Sequence, residues 1–451
     1  MEPRPRLLFN AFSMNCVSHI QHGLWGRPDT RQLDYTSLDA WVELARLLER
    51  GRFDALFLAD VIGVYDAYRG GPETSIREAM QIPVNDPSLL IPAMAHATEH
   101  LGFAFTASIL SEHPFAFARR ISTLDHLTRG RVAWNIVTSY LPSAARNLGW
   151  DNLPRHDDRY DRGDDYLEVT YKLWEASWED DAVVRDVERG VYADPAKVHT
   201  IDHVGPYYTV PGPHLCEPSP QRTPVLFQAG SSDRGREFAA RHAEAIFVAG
   251  SRRSVARVKA DVEQRAAAHG RRPGDVKVFQ PITPVVGGTE AEARAKAEEL
   301  TASVSIEGGL AHLSGSIGAD LGAIDPDRPL STFDFNGIEG IVKAMVEAAP
   351  DKSWTFGELA KRQMTGQFMV GSDEQVADQL EAMGEAGVDG FNLVYTSTPG
   401  TFADFIDGVV PILQARGRMQ SEYGPGTLRR KLFGTDRLPD RHPGSRRSIL
   451  R

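Results

Sequence analysis

The sequence predicts an α/β fold, a closed parallel (β/α)8 TIM barrel with insertions, and three observations carry that expectation. Eight short apolar runs rich in Val, Ile, Phe and Ala recur along the chain, amphipathic segments separate them, and several of the runs end in polar residues. Alternation of strand and helix is the pattern of βα units rather than of a sandwich. A chain of 451 residues carrying eight such units has the length to close a barrel covered by helices.

In order, the expected strands are "LLFNAF" (7–12), "DALFLAD" (54–60), "GFAFTASI" (102–109), "RVAWNIVTS" (131–139), "PVLFQAG" (224–230), "AEAIFVAG" (243–250), "KVFQPITPVV" (277–286) and "GFNLVYT" (390–396). Between the first two, "SLDAWVELARLLERG" places Leu38, Trp41, Leu44, Ala45 and Leu48 on one helical face, with Gly51 as a stop. Two stretches break the rhythm. Residues 180–222 are rich in turn-forming and charged residues, and residues 303–370 hold "EGGLAHLSGSIGADLGAIDPDRPL". Long structureless loops are uncommon in compact domains, so both read as insertions, the second with helices and an active-site lid. Residues 1–415 are expected to form one barrel domain, and the basic segment 416–451 a solvated arm or a subunit contact.

Composition narrows the function. A formal net charge of −11 argues against a nucleic-acid binder, which needs clustered Lys and Arg to displace counterions. Two cysteines, Cys16 and Cys216, build neither a disulfide framework nor a Cys-rich zinc site. The N-terminus has too short an apolar run for a signal sequence, and no stretch approaches the roughly 20 apolar residues of a membrane span. A soluble cytoplasmic chain is expected.

In a TIM barrel the chemistry sits at the C-terminal ends of the strands. Here those ends carry Asn10, Asp60, Thr106, Ser108, Asn135, Thr138, Gln228, Ser231 and Ser232. So many polar ends suit one ligand site assembled from several segments, although each alone could cap a following helix. "QAGSSDRGREFAARHAE" (228–244) runs strand, turn and helix, so Gly230, Ser231 and Ser232 offer either a phosphate cradle at a helix N-terminus or an ordinary cap. Neither a Walker pattern nor GxGxxG occurs.

The histidines divide. "HATEH" (His96, His100) and "HTIDH" (His199, His203) have i, i+4 spacing, but the first lacks the HExxH glutamate and the second is Pro-flanked, so no metal is expected. Cys16, His19 and His22 in "MNCVSHIQHGLW" follow the first strand and lie at the barrel mouth. A cysteine there is a small hydrophobe unless a base activates it. His156 and Tyr160, in "RHDDRYDRGDDY", sit just ahead of a helix and suit capping or ligand binding.

These segments together resemble the bacterial-luciferase-like flavin monooxygenases, in the group that acts on nitrilotriacetate, dibenzothiophene sulfone, dimethyl sulfide and long-chain alkanes. The matching pieces include "NAFSMNCVSHIQHGLW", "LERGRFDALFLADVIGVYDAYRG", "QIPVNDP", "STLDHLTRGRVAWNIVTSYLPSAARNLG", "GPHLCEPSPQRTPVLFQAGSSDRGREFAARHAE" and "LRRKLFG", and they span nearly the whole chain. The first and fifth of these are nearest to the long-chain alkane pattern. The resemblance implies FMN, supplied as FMNH2 by a separate flavin reductase, with O2 and a small-molecule substrate, and a homodimer or homotetramer. It implies that Asp60, Thr106, Ser108 and Asn135 line the flavin ring and that His156, Tyr160, Gly230, Ser231 and Ser232 hold its phosphate. The stretch "YLPSAARNLG" is then an ordered loop beyond the fourth strand.

Cys16, His19, Tyr65, Gln81 and His312 match substrate-side positions of that pattern, and Tyr140 stands where it carries a histidine. "HLSGSIG" replaces a glycine-richer lid sequence. The reaction implied is oxygenation of a small or medium apolar molecule, alkane-like, through a C4a-peroxyflavin. An organosulfur substrate, and an F420- or NAD(P)H-dependent oxidoreductase of the wider group, are the alternatives. A flavin-binding protein without turnover is a third.

Overall fold

A computed structural model of the chain describes residues 5–445 apart from residue 231, residues 333–352 and residue 367. The barrel strands are β1 (Leu8–Met14), β2 (Ala55–Ala59), β3 (Gly102–Ser108), β4 (Val132–Val137), β5 (Val225–Gln228), β6 (Ala245–Phe247), β7 (Lys277–Gly287) and β8 (Gly390–Val394). All eight fall on the expected runs. Each pairs in parallel with its neighbours, and β8 returns to β1 with Asn392 opposite Asn10, which closes the sheet. A further strand, Phe368–Ser372, extends the far half of β7, from Thr283 opposite Phe368 to Gly287 opposite Ser372. It falls at the end of the stretch read as the second insertion.

The parallel strands are covered on the outside by helices, so their outward residues join one large core. Phe9, Leu56, Phe103 and Trp134 meet Trp41, Leu44 and Leu48 of the helix Leu38–Arg50 and Phe117 of Pro114–Leu127 there. Ser37 caps the first of these helices by accepting from the Ala40 amide. Leu38, read from periodicity as buried, is 48% exposed because it is the first residue of its helix, where the chain has not yet turned onto the barrel.

Inside the barrel a separate cluster of Leu8, Phe57, Ala104, Ala133, Phe227 and Phe279 fills the lower layers. Leu428 and Leu432, on the helix Leu428–Phe433, complete it from below. This corrects the expectation of a solvated arm for the helix Leu428–Phe433, which closes the bottom of the barrel. Arg429 is 0% exposed and meets the Glu244 carboxylate through Nε at 2.7 Å and Nη2 at 2.9 Å. Its Nη groups also donate to the carbonyls of Thr223 (2.8 Å) and Pro224 (2.7 Å). Arg429 thus turns one of the segment's positive charges inward, while Arg430 pairs with Asp436 at the surface.

The first insertion carries two small hairpins, Val183–Asp186 with Val191–Ala193 and His203–Val204 with Thr209–Val210. Asp165 anchors the second of them to the helix His156–Tyr171, accepting from the Tyr207 and Tyr208 amides at 2.9 Å. The second insertion contributes the helices Ile306–Ile317 and Phe356–Thr365. Their Leu310, Ala311, Phe356 and Leu359 form a lid core with Tyr65, Tyr68, Met80 and Leu141 from the loops after β2 and β4. The stretch "YLPSAARNLG" is not a loop throughout, since Pro142–Asn147 is helical, with Pro142 starting it and small residues packing beneath the lid.

Candidate active site

The ends of β2, β3 and β4 meet at a cavity of about 80 Å3 lined by Asp60, Thr106, Ser108, Ser139, Tyr140 and Leu141. Parallel register puts Thr106 opposite Asn135, and Asn135 Nδ2 donates to Thr106 Oγ1 at 2.9 Å. The Ser108 and Ser139 hydroxyls lie 2.7 Å apart, with Ser139 in the left-handed backbone region at φ 58°. A larger cleft of about 240 Å3 lies outside the barrel wall, between the end of β1 and the helix Leu38–Arg50. Of the expected site residues it touches only Cys16, so the strand-end cavity is the better candidate.

Along the barrel strands, buried amide atoms lack partners. Asn10 Oδ1, Asn135 Oδ1, Gln228 Oε1, Gln280 Oε1 and Asn392 Nδ2 have none. Each unsatisfied buried group costs roughly 1–3 kcal/mol, so the oxygens of Asn135 and Gln228, near the ends of β4 and β5, suit a ligand with donors along an edge. A flat heteroaromatic ring such as isoalloxazine fits that requirement.

Asp60 accepts from the Val61 amide at 2.9 Å, and burial pushes its carboxyl up to about 7. The folded chain therefore holds this proton over a range where the unfolded chain has released it, so stability falls as pH rises from about 4 to about 7. Asp60→Asn is expected to remove that slope. Above the window it should stabilise the ligand-free protein by on the order of 1 kcal/mol, a figure discounted for partial exposure, and below it by nothing. Denaturant titrations across the window check this, and identical pH slopes in the two proteins would contradict it.

The expected phosphate cradle is built on two helices. Ser232 caps the helix Asp233–His242, its Oγ accepting from the Gly235 amide at 3.0 Å. Burial raises the pKa of Tyr160, and the polar groups of Ser232, Thr138 and Gln228 beside its hydroxyl oppose the rise. A Cβ on Gly230 would stand 2.6 Å from that hydroxyl and one on Gly235 2.8 Å from it, so glycine at both positions keeps the backbone close to the tyrosine. His156 is exposed, edge-on to Tyr160 at 5.2 Å, with Nδ1 2.6 Å from the Asp157 carboxylate. Both residues lie inside the helix His156–Tyr171 rather than ahead of it. Ser231 lies outside the described residues.

The other half of the site lies under the lid. Tyr65 donates to Gln81 Oε1 at 3.2 Å, Gln81 Nε2 donates to the His19 carbonyl at 2.8 Å, and the Tyr140 hydroxyl meets that of Tyr65. With the Tyr65 proton committed to Gln81, Tyr140 is the donor to Tyr65, and its remaining lone pair is free to accept. Tyr140 is 46% exposed as a residue, yet burial raises its pKa, because the hydroxyl end is the part enclosed against Tyr65. Gln81 holds its position at φ 50°, left-handed for a non-glycine residue.

His312, on the lid helix Ile306–Ile317, packs edge-on to Tyr65 at 5.1 Å. Gly315, in "HLSGSIG", lets that helix approach, since a Cβ there would collide with the Tyr65 ring. Burial lowers His19 to about 3, with His312 adding to the effect, and lowers His312 to about 4. Both imidazoles are thus neutral near pH 7, and the Nδ1 of His19 is buried without a partner. Cys16 shares no hydrogen bond with this network. Burial raises its thiol, so a thiolate nucleophile is disfavoured.

Sequence reasoning passed over Ser18, and it placed His22 at the barrel mouth without giving it a role. Ser18 Oγ lies 2.8 Å from His22 Nδ1, and His22 Nε2 lies 2.9 Å from His312 Nδ1. His22 shares its segment with His19, but its partner is 290 positions away, and no local spacing shows such a contact. Gln280 and Asn392 were missed because they lie inside strands rather than at their ends. The histidine pairs are structural: His199 pairs with Glu179, His203 with Asp165, and the helix Ile91–His96 ends before His100. Among the described residues no group of three or more His, Cys, Asp or Glu side chains is placed to hold a metal ion, and no helix is long and apolar enough to cross a membrane.

A closed parallel barrel with a lidded aromatic and histidine pocket at the strand ends has the architecture of a (β/α)8 enzyme. Comparison with known proteins makes this specific: the chain belongs to the luciferase-like monooxygenase family, whose profile matches residues 14–390. It is 52% identical over 447 residues to the long-chain alkane monooxygenase of Geobacillus thermodenitrificans, covering 98% of each chain. It is 48% identical to the dimethyl-sulfide monooxygenase of Hyphomicrobium sulfonivorans, covering 98% of this chain and 94% of the relative. The crystal structure of a long-chain alkane monooxygenase superposes with a TM-score of 0.89 at 50% identity, covering 97% of this chain and 98% of that one. The chain is an oxidoreductase of the monooxygenase type.

Proposed function

We propose that this protein is a two-component monooxygenase that takes reduced FMN from a separate flavin reductase and oxygenates a small or medium apolar molecule. The observation that carries the reading is the placement of the unpartnered amide oxygens of Asn135 and Gln228, near the ends of β4 and β5, at the same barrel mouth as a lidded pocket of Tyr65, Tyr140, His19 and His312. Bound reduced FMN supplies the electrons and the site at which O2 is activated. Asn135 and Gln228, with Asp60, Thr106 and Ser108, hold the flavin edge. Gly230, Ser231, Ser232, Tyr160 and His156 hold the phosphate. The lid keeps water from the reacting atoms, and neutral His19 and His312 supply hydrogen bonds to oxygen without a full charge.

Apolar and aromatic residues dominate the lid side, which favours an alkane-like substrate. Tyr140, which stands where the long-chain alkane pattern carries a histidine, keeps an organosulfur substrate as the second reading. Free Cys16 and Cys216 support a cytoplasmic protein, and exposed Val187, Tyr192, Val204 and Leu215 on the first insertion support a homodimer or homotetramer.

Two experiments test this. With FMNH2 supplied by a reductase, n-alkanes and dialkyl sulfides are offered to wild type, His19→Asn and His312→Phe, and product is measured against hydrogen peroxide. Each variant is expected to lose about tenfold or more in product per flavin oxidised, with peroxide rising to match. Full coupling in both would remove these histidines from the reaction. Ser232→Asp sets a like charge beside the phosphate and is expected to weaken FMN binding several-fold or more by calorimetry. Unchanged affinity would place the phosphate elsewhere.

A further inference from the structure

Ser18, His22 and His312 form a continuous chain from the loop after β1 to the lid helix, through the 2.8 Å and 2.9 Å contacts already described. We infer that Ser18 and His22 are positioning residues that fix the tautomer of His312, leaving its Nε2–H as a donor toward the pocket. The inference rests on the monooxygenase reading only for what that donor serves. The tautomer itself follows from proton counting.

A neutral imidazole has one N–H and one acceptor nitrogen. Among the described residues the Ser18 hydroxyl meets no acceptor other than His22 Nδ1, so its single proton is best used there. His22 Nδ1 is then the acceptor and its Nε2 carries the hydrogen. That hydrogen points at His312 Nδ1, which must accept, and the proton of His312 is left on Nε2. The opposite direction would have His22 donate to Ser18 and strand the serine proton without a partner, a cost of roughly 1–3 kcal/mol in a buried site.

Three further contacts hold the chain in place. The Ser305 amide donates to the His22 carbonyl at 2.8 Å, and Ser305 caps the lid helix through the Gly308 amide at 3.0 Å. A Cβ on Gly308 would stand 2.7 Å from His22 Cβ, so glycine there allows the lid helix to sit directly on His22. The rings of His22 and His312 cross at 64° with centroids 5.0 Å apart. Burial keeps both imidazoles from becoming charged, which preserves the one-proton count. The relay is therefore complete only when lid and β1 loop are docked together.

Nitrogen NMR on protein labelled at histidine tests this without flavin or substrate, because ring-nitrogen shifts separate protonated from unprotonated nitrogens. Signals of His312 are assigned by their loss in His312→Gln. Wild type is expected to show one Nε2–H tautomer for His312, and His22→Leu a mixture of both. His22→Gln should restore the wild-type pattern, because a glutamine Nε2 reaches as far along the side chain as a histidine Nε2 and donates in the same way. In FMNH2-driven turnover the leucine variant should lose about tenfold in product per flavin oxidised, and the glutamine variant should recover most of it. An Nδ1–H tautomer in wild type, or the same tautomer in wild type and His22→Leu, would overturn the inference. If the NMR pattern holds while no FMNH2-dependent product forms with any protein, the monooxygenase reading fails and the tautomer assignment stands.

Discussion

Gly230→Val is expected to weaken FMN binding roughly a hundredfold, about 2.7 kcal/mol, while leaving the barrel folded. The first added carbon already stands 2.6 Å from the Tyr160 hydroxyl, and two methyl groups beyond it would fill the space where the backbone meets a phosphate. Tyr160 has little freedom to yield, since its ring packs on Phe238 at 5.4 Å. Gly230→Ala should fall between, because the amide end of Gln228 can swing aside. Calorimetric titration with FMN, beside thermal melts of both variants, checks this. Wild-type affinity in Gly230→Val would place the phosphate away from this turn.

The second large effect is on stability. Arg429→Met should cost about 3–5 kcal/mol, since it leaves the Glu244 carboxylate buried and uncompensated and strips the Thr223 and Pro224 carbonyls of their donor. Replacing Glu244 by Gln as well should recover part of the loss, because the burden is the orphaned charge more than the missing contact. Denaturant unfolding of the single and double variants measures this. A loss under about 1 kcal/mol in the single variant would return the segment after residue 416 to a loosely attached arm.

The barrel strands were legible because each is a short apolar run with a period its neighbours share, and the fold requires nothing more local than that. The strand Phe368–Ser372 was not, since it extends β7 only after an insertion has brought it back, and its pattern alone does not separate it from the insertion. Arg429 shows the limit of charge patterning: a basic run reads as a solvated face unless its buried acid, 185 positions away, is known. At the site, strand-end residues such as Asp60, Thr106 and Asn135 were legible because barrel topology says where strand ends go. Tyr65, Gln81 and His312 rested on family resemblance, and the structure joins them through loops and a lid. His22 needed the lid helix in place before its role could be seen.

The most direct test of the central claim is the fate of isotopically heavy O2 when FMNH2 is supplied with an apolar substrate, read by mass spectrometry of the product. The account predicts one heavy oxygen atom per product molecule, formed only with FMNH2 and lost in Gly230→Val. Product oxygen drawn from water, or product formed as readily from a nicotinamide or F420 donor without FMN, would contradict it.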